Sequence, residues 1–306
     1  VCSGDWSFVG VPGWVTLSPA TGSGNTQVRV GVSNNVETTP RNANFVMRSG
    51  LNGLERQISI AQKAFVFDNT PENFAYEALN TTSTPVSVVC MGGWTVQNAE
   101  PWMNVTPTSG TGNGSITISP AYNTTKSARS GVVRVVSTLN PNLSKNITVS
   151  QKAFEFDETA ASYSYEALSP GSTRVQISGM GDWTVQNIPD WVSVSPISGS
   201  GDEVITISPK QNLETRMREV TLYVTSSLNE SIRKPITLKQ EAFRFDETAE
   251  HLSFDALDPA RRQVSIACMG EWNVSGDPEW VSVSPMSGAN DGMISIEVTE
   301  NIQPTI

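Results

Sequence analysis

The chain is 306 residues long, carries a formal net charge of −10, and 38% of its residues are hydrophobic. That is enough apolar material for several small cores, while the acidic balance excludes a nucleic-acid partner, whose phosphates require basic patches. No apolar run approaches the ~20 residues of a membrane-spanning helix.

Tryptophan pairs punctuate the sequence at one spacing. Trp6/Trp14, Trp94/Trp102, Trp183/Trp191 and Trp272/Trp280 are each eight apart, and their first members are separated by 88, 89 and 89 residues. A fixed period of this kind denotes a tandem array of one unit. The units read as 1–64, 65–153, 154–242 and 243–306, the first without its opening strand or strands and the fourth without its closing ones. An open sheet edge is an association hazard, so the expectation is a segment of a longer array. Basic minus acidic residues give 5 − 3, 5 − 4, 7 − 12 and 3 − 11, a net charge of +2, +1, −5 and −8 along the units.

The third unit is complete and shows the order of elements. AFEFDETA (153–160) leads into SYSYEALSP, where Tyr163, Tyr165 and Ala167 alternate. In TRVQISGMGDW, residues Val175, Ile177, Gly179, Gly181 and Trp183 share one parity, the period-two pattern of a strand with one buried face. Trp183 and its counterparts Trp6, Trp94 and Trp272 are therefore predicted to face the core.

Beyond the turn at Asn187–Asp190 the parity changes. Val192 and Val194 form the inward pair, which sends Trp191 to the other side, and Trp14, Trp102 and Trp280 repeat the arrangement. A Gly/Ser-rich turn, ISGSGDE, precedes the strand VITIS. A loop then leads to VTLYVTS, and a hairpin returns in ITLKQ. Arg41, Arg129 and Arg218 stand just before the penultimate strand, where a structural pin on the strand end is the expectation. Short strands with turns about every ten residues and almost no helical period describe an all-β sandwich. Successive units join at Gln62–Phe65, Gln151–Phe154 and Gln240–Phe243 without a Pro/Ser/Gly spacer, which predicts a semi-rigid rod of units on the order of 35–40 Å each.

Cys2, Cys90 and Cys268 all lie four residues before the first tryptophan of a unit. Residues at one position of separate domains stand too far apart for a disulfide, which requires Cα atoms within about 7 Å, so the three are predicted to be small buried core residues.

Candidate chemistry is sparse. His251 is the single histidine, and its counterparts Asn73 and Ser162 show a position open to polar residues. Neither a nucleophilic triad nor a multi-histidine metal site can be assembled within one unit, so no enzyme, cofactor or metal is predicted. The Asp-Glu-Thr runs at 157–159 and 246–248 offer oxygen ligands, but without calcium-loop spacing. The second tryptophans, Trp14, Trp102, Trp191 and Trp280, are the candidate ligand-binding residues. An outward indole can stack on the C–H face of a sugar; the competing expectation is that each ring folds beneath the preceding Pro-containing loop and plugs the sandwich end.

The first tryptophan, the WVSVSPISG segment (191–199), the arginine before a V-x-L-x-V strand and the closing ITLKQ together resemble the BACON domain. This is an immunoglobulin-like module of gut Bacteroidetes surface proteins, also present in structural proteins of their phages. The resemblance covers the chain end to end in four copies. It implies a tandem array of immunoglobulin-like sandwiches on a cell or virion surface. It implies glycan or mucin as partners, or service as a spacer between neighbouring domains and other surface or virion proteins. The resulting expectation is a non-catalytic extracellular rod for spacing, display or adhesion. The alternatives are weak carbohydrate binding and a phage fibre, tail or capsid decoration.

Overall fold

The computed structural model describes residues 2–302, and among these there is no helix. The chain divides into two compact units, one ending at Phe154 and the other beginning at Glu155, each holding one full repeat and one shorter repeat.

In the second unit the full repeat contains eight strands: Ala161–Tyr165, Thr173–Ile177, Asp182–Gln186, Val192–Ser195, Ser198–Ser200, Glu203–Pro209, Arg218–Ser226 and Arg233–Gln240. The first, last, seventh, third and fifth, in that spatial order, form a five-stranded sheet, and the second, sixth and fourth form a three-stranded sheet. Alternation along each strand supplies the two inner faces: Leu222, Val224, Ile236 and Leu238 from one sheet, Val175, Ile177, Val192, Val194, Ile205 and Ile207 from the other, all buried in one cluster. This is an immunoglobulin-like β-sandwich. The full repeat of the first unit has the same two sheets and core, with Val133, Val135, Ile147 and Val149 facing Val86, Val88, Ile116 and Ile118.

The first strand of each full repeat pairs with the last in parallel, Ala161↔Ile236 to Tyr165↔Gln240 and Glu72↔Ile147 to Tyr76↔Gln151. Every other ladder is antiparallel.

Trp183 is fully buried and Trp94 nearly so. The indole Nε1 of Trp183 donates to the carbonyl of Gly201 at 3.1 Å, and Trp6, Trp94 and Trp272 make the same bond to Gly24, Gly112 and Asn290. The ring lies flat against the facing strand, where a Cβ on Gly199 would stand 2.4 Å from it. Gly199 and its counterparts Gly22, Gly110 and Gly288 are therefore part of the tryptophan socket.

Two of the residues expected in the core are only half-buried. Trp183 is paired on both sides, with Gly199 and Ser226, whereas among the described residues Trp272 is paired on one side only, with Gly288. Cys2 is half-buried, whereas Cys90 and Cys268, bridged by Phe67 and Phe245, are buried; all three are free thiols. At the equivalent Gly179 the space is filled by the Phe156 ring, 2.4 Å from where a Cβ would sit.

Within each compact unit the joint between its two repeats is hydrogen-bonded. Within the first unit the Lys63 carbonyl accepts from Asn35 Nδ2 at 2.9 Å and Phe65 N donates to Glu37 O at 2.8 Å, both on the preceding repeat. Two residues later the chain belongs to the next repeat, with Met91 N on Val66 O and Asp68 N on Val89 O. Asn140 Nδ2 reaches back to Val36 O at 3.0 Å. In the second unit Asn212, Phe243, Met269 and Asp246 repeat the stitching.

Candidate functional site at the sandwich end

The second tryptophan of each repeat immediately precedes a short strand, and a proline-containing turn brings it there; Val192 N donates to Pro189 O at 3.0 Å, and Met103 N to Glu100 O at 2.8 Å. Its backbone carbonyl then accepts from the strand opposite, as in Lys210 N to Trp191 O at 2.8 Å. The side chain is directed to the end of the sandwich, where Trp102 and Trp191 pack against the edge of the core.

The strand-end arginine closes over that ring. Its guanidinium carbon lies 4.6 Å from the ring centroid in the Arg41–Trp14 pair, 4.5 Å in Arg129–Trp102 and 4.4 Å in Arg218–Trp191. A cation over an indole face is stabilising by ~0.5–2 kcal/mol, more where water is excluded. One face of the indole is thus covered by the protein's own guanidinium in three repeats. Trp280, over which no arginine lies among the described residues, is 58% exposed.

A third side chain completes the arrangement. Arg218 Nε donates to Gln240 Oε1 at 3.0 Å, and Arg218 Nη2 donates to Lys210 O at 2.7 Å. The amide of Gln240, fully buried, donates to Glu166 O, Ala167 O and Lys210 O. Gln151 with Arg129 repeats this set, and Gln62 with Arg41 repeats the arginine contact. Burial lowers the Arg129 and Arg218 pKa from the ordinary arginine value, leaving cations held by neutral acceptors and a π face. The sequence reading missed the glutamine; its signal was the Gln that ends every closing strand.

A second repeated cluster was also missed. Lys145 is buried, with Nζ 2.9 Å from Asp68 Oδ2 and 2.5 Å from Glu72 Oε1. Lys234 is equally buried, with Nζ 2.5 Å from Asp157 Oδ2 and 2.8 Å from Thr159 O. The other carboxylate oxygen of each aspartate accepts from a backbone N–H two residues on, Thr70 or Thr159. The carboxyl of Asp157 is drawn down to about 2 by Lys234 and then Thr159, and that of Asp68 to about 2 by Thr70 and then Lys145. Burial works to lower the Lys145 pKa, yet its bonds to Glu72 and Asp68 outweigh this and raise it. The Asp-Glu-Thr run at 157–159 is thus a turn that grips a lysine, while at 246–248 the same turn forms, Thr248 N donating to Asp246 Oδ1. No three potential metal-ligating side chains gather among the described residues, and His251 lies exposed outside any strand.

A family model described as "Putative binding domain, N-terminal", the BACON domain, matches residues 5–63, 92–152 and 181–241. A second, "Viral BACON domain", matches 248–305. No curated protein matches the chain. Among solved structures, a Bacteroides ovatus GH5 xyloglucanase in complex with a XXXG heptasaccharide is 22% identical over 29% of this chain and 20% of its own, with a TM-score of 0.25. Zebrafish RET cadherin-like domains 1 to 4 are 10% identical over 78% of this chain and 65% of theirs (TM-score 0.31). Protocadherin gamma B2 extracellular cadherin domains 1–5 are 10% identical over 96% and 65% (TM-score 0.28). The chain thus spans about a fifth of the xyloglucanase and less than two thirds of the two cadherin chains, and at these TM-scores the likenesses carry no functional argument. The family models together match most of the sequence, and the chain belongs to the BACON family, as a tandem array of its immunoglobulin-like sandwiches.

Proposed function

We propose that this chain is a non-catalytic, surface-exposed spacer that holds other modules at a distance for display or adhesion. The observation that supports this reading is what recurs from repeat to repeat. The recurring aromatic, cationic and amide side chains bond to one another and to backbone carbonyls, closing the sandwich end. Within each compact unit the joint between its two repeats is short and hydrogen-bonded rather than loose. Repetition serves length and closure. A dye pair placed either side of residues 65–153 tests it: deleting that repeat should bring the dyes closer by on the order of 35–40 Å, and an unchanged separation would count against a spacer.

The family description, a binding domain, supports a second reading in which the repeats bind a ligand; a glycan stacked on Trp280, the most accessible of the candidate rings, is the form that it would take here. A mucin and plant-glycan array decides between the two. The spacer reading expects no specific glycan, whereas saturable binding lost in Trp280→Ala would replace it. The surface that carries the chain is a cell's or, as the viral family match over 248–305 allows, a virion's, and immunogold labelling of cells and of phage particles would decide between them.

A further inference from the structure

We infer that each full repeat is built to resist tension along the chain, with the parallel first and last strands as a clamp loaded in shear. The inference deepens the spacer reading and rests on it, because a spacer under display or adhesion transmits force from one end to the other.

The geometry follows from the topology. Force enters a full repeat through a short segment bonded to the second strand's end, residues 66–68 or 155–157, passes to the first strand once those few bonds yield, and leaves at the end of the last. Because these two strands run parallel and side by side, pulling draws them past each other along their own axis. All the ladder bonds from Glu72↔Ile147 to Tyr76↔Gln151 are then strained together, as are those from Ala161↔Ile236 to Tyr165↔Gln240. An antiparallel pair of terminal strands would instead open one bond at a time.

Both ends of the patch are locked by side chains. At the entry, Lys145 on the last strand holds Asp68 and Glu72, which lead into the first strand; Lys234 holds Asp157 and the Thr159 carbonyl in the same place. At the exit, Gln151 donates to Glu77 O and Ala78 O just beyond the first strand, and Gln240 donates to Glu166 O and Ala167 O. Each glutamine is held in turn by the arginine stacked on the second tryptophan. The next residues out are fixed as well, with Lys152 N on Tyr76 O and Asn123 Nδ2 on Lys152 O. The two repeated clusters thus stand at the two points where tension enters and leaves.

The first and fourth repeats carry no parallel pair among the described residues and serve as internal controls. In single-molecule pulling of the whole chain, repeats 65–153 and 154–242 should each release roughly 300 Å of chain at a force well above that of the other two. Forced unfolding reports the unfolding barrier rather than equilibrium stability. At constant force, Lys234→Met and Gln240→Ala should each shorten the lifetime of the third repeat about tenfold while leaving the second unchanged. Val194→Ala, in the opposite sheet, should lower its denaturant midpoint with little effect on that lifetime. A second pulling geometry needs no core change: handles at Ala160→Cys and Glu230→Cys, with Cys2→Ser, load the same strand pair from one end and should open it at less than half the end-to-end force. Equal forces in the two geometries, or lifetimes untouched by Lys234→Met and Gln240→Ala, overturn the clamp. Either result leaves the dye-separation test of the spacer standing, so the two readings fail separately.

Discussion

The Arg218 guanidinium carbon stands 4.4 Å from the centroid of the Trp191 ring, and the same side chain bonds Gln240 and the Lys210 carbonyl. Three elements distant in sequence meet at this cation: the turn before the fourth strand, the start of the seventh and the end of the eighth. Arg218→Ala should therefore do more than remove a charge. It leaves a buried glutamine oxygen without its donor and uncovers an indole, a loss of about 2–4 kcal/mol from the third repeat. Lysine offers one point charge in place of a planar fork, so Arg218→Lys should recover less than half of that loss. Urea denaturation followed by tryptophan emission checks both; an Arg218→Ala chain as stable as the parent would contradict the linkage.

The glycine facing the first tryptophan makes a sharper steric prediction. A Cβ on Gly110 would sit 2.2 Å from the Trp94 ring, while one on Gly171 would meet nothing within 4 Å. Gly110→Ala should cost about 1–3 kcal/mol by overpacking, and Gly171→Ala should be neutral or slightly stabilising through the unfolded chain. The paired melting curves test the contrast. Similar midpoints for the two variants would show that the socket can yield.

The inward tryptophans were legible in the sequence because period-two alternation passes straight through them from Val175 to Val185, and the all-β class followed from that pattern. The second tryptophans could not be resolved the same way. Trp191 lies just before its strand, Val192–Ser195, so strand parity assigns it a side but says nothing about what lies over the ring. Its cover comes from Arg218, 27 positions later, through a contact that no local pattern encodes. Lys234 was hidden for a related reason. A lysine in a closing strand reads as a solvent-facing residue, and it is buried here because Asp157, 77 residues earlier, crosses to meet it. The half-burial of Trp272 and Cys2 could not be read locally either: similar local sequence gives different burial according to which strands pair beside it among the described residues.

The lysine–aspartate pairs set an acid response. The folded pKa of about 2 at Asp68 and Asp157 lies below the ordinary 3.8, so the folded state favours the ionised form. The stabilisation is complete above about pH 4 and is lost as the pH falls through about 2. The carboxylates are about one third exposed, and solvent screening reduces each contribution to about 1 kcal/mol. Denaturation midpoints should hold steady from pH 7 to about 4 and fall below it. Asp157→Asn should be less stable at neutral pH and flatter in acid; a parent profile unchanged down to pH 2 would remove the ion pairs from the account.

The accessibility of the eight tryptophans can be read directly by iodide. Trp94 and Trp183 are 2% and 0% exposed, while Trp280 is 58% exposed. Trp14, Trp102 and Trp191 are half-buried, each with a guanidinium over one face. Most of the quenchable emission should therefore come from Trp280, and Trp280→Phe should remove the largest part of it. Arg218→Ala should add a new quenchable fraction by opening the Trp191 face. A chain in which Trp14, Trp102 and Trp191 are quenched as readily as Trp280 would restore the idea of exposed stacking platforms in every repeat. Trp183→Ala should instead destabilise the third repeat by about 3–5 kcal/mol as a core deletion, with little change in iodide quenching of the tryptophans that remain. The two classes of ring therefore separate by two measurements: the first by stability alone, and the second by stability together with access to solvent.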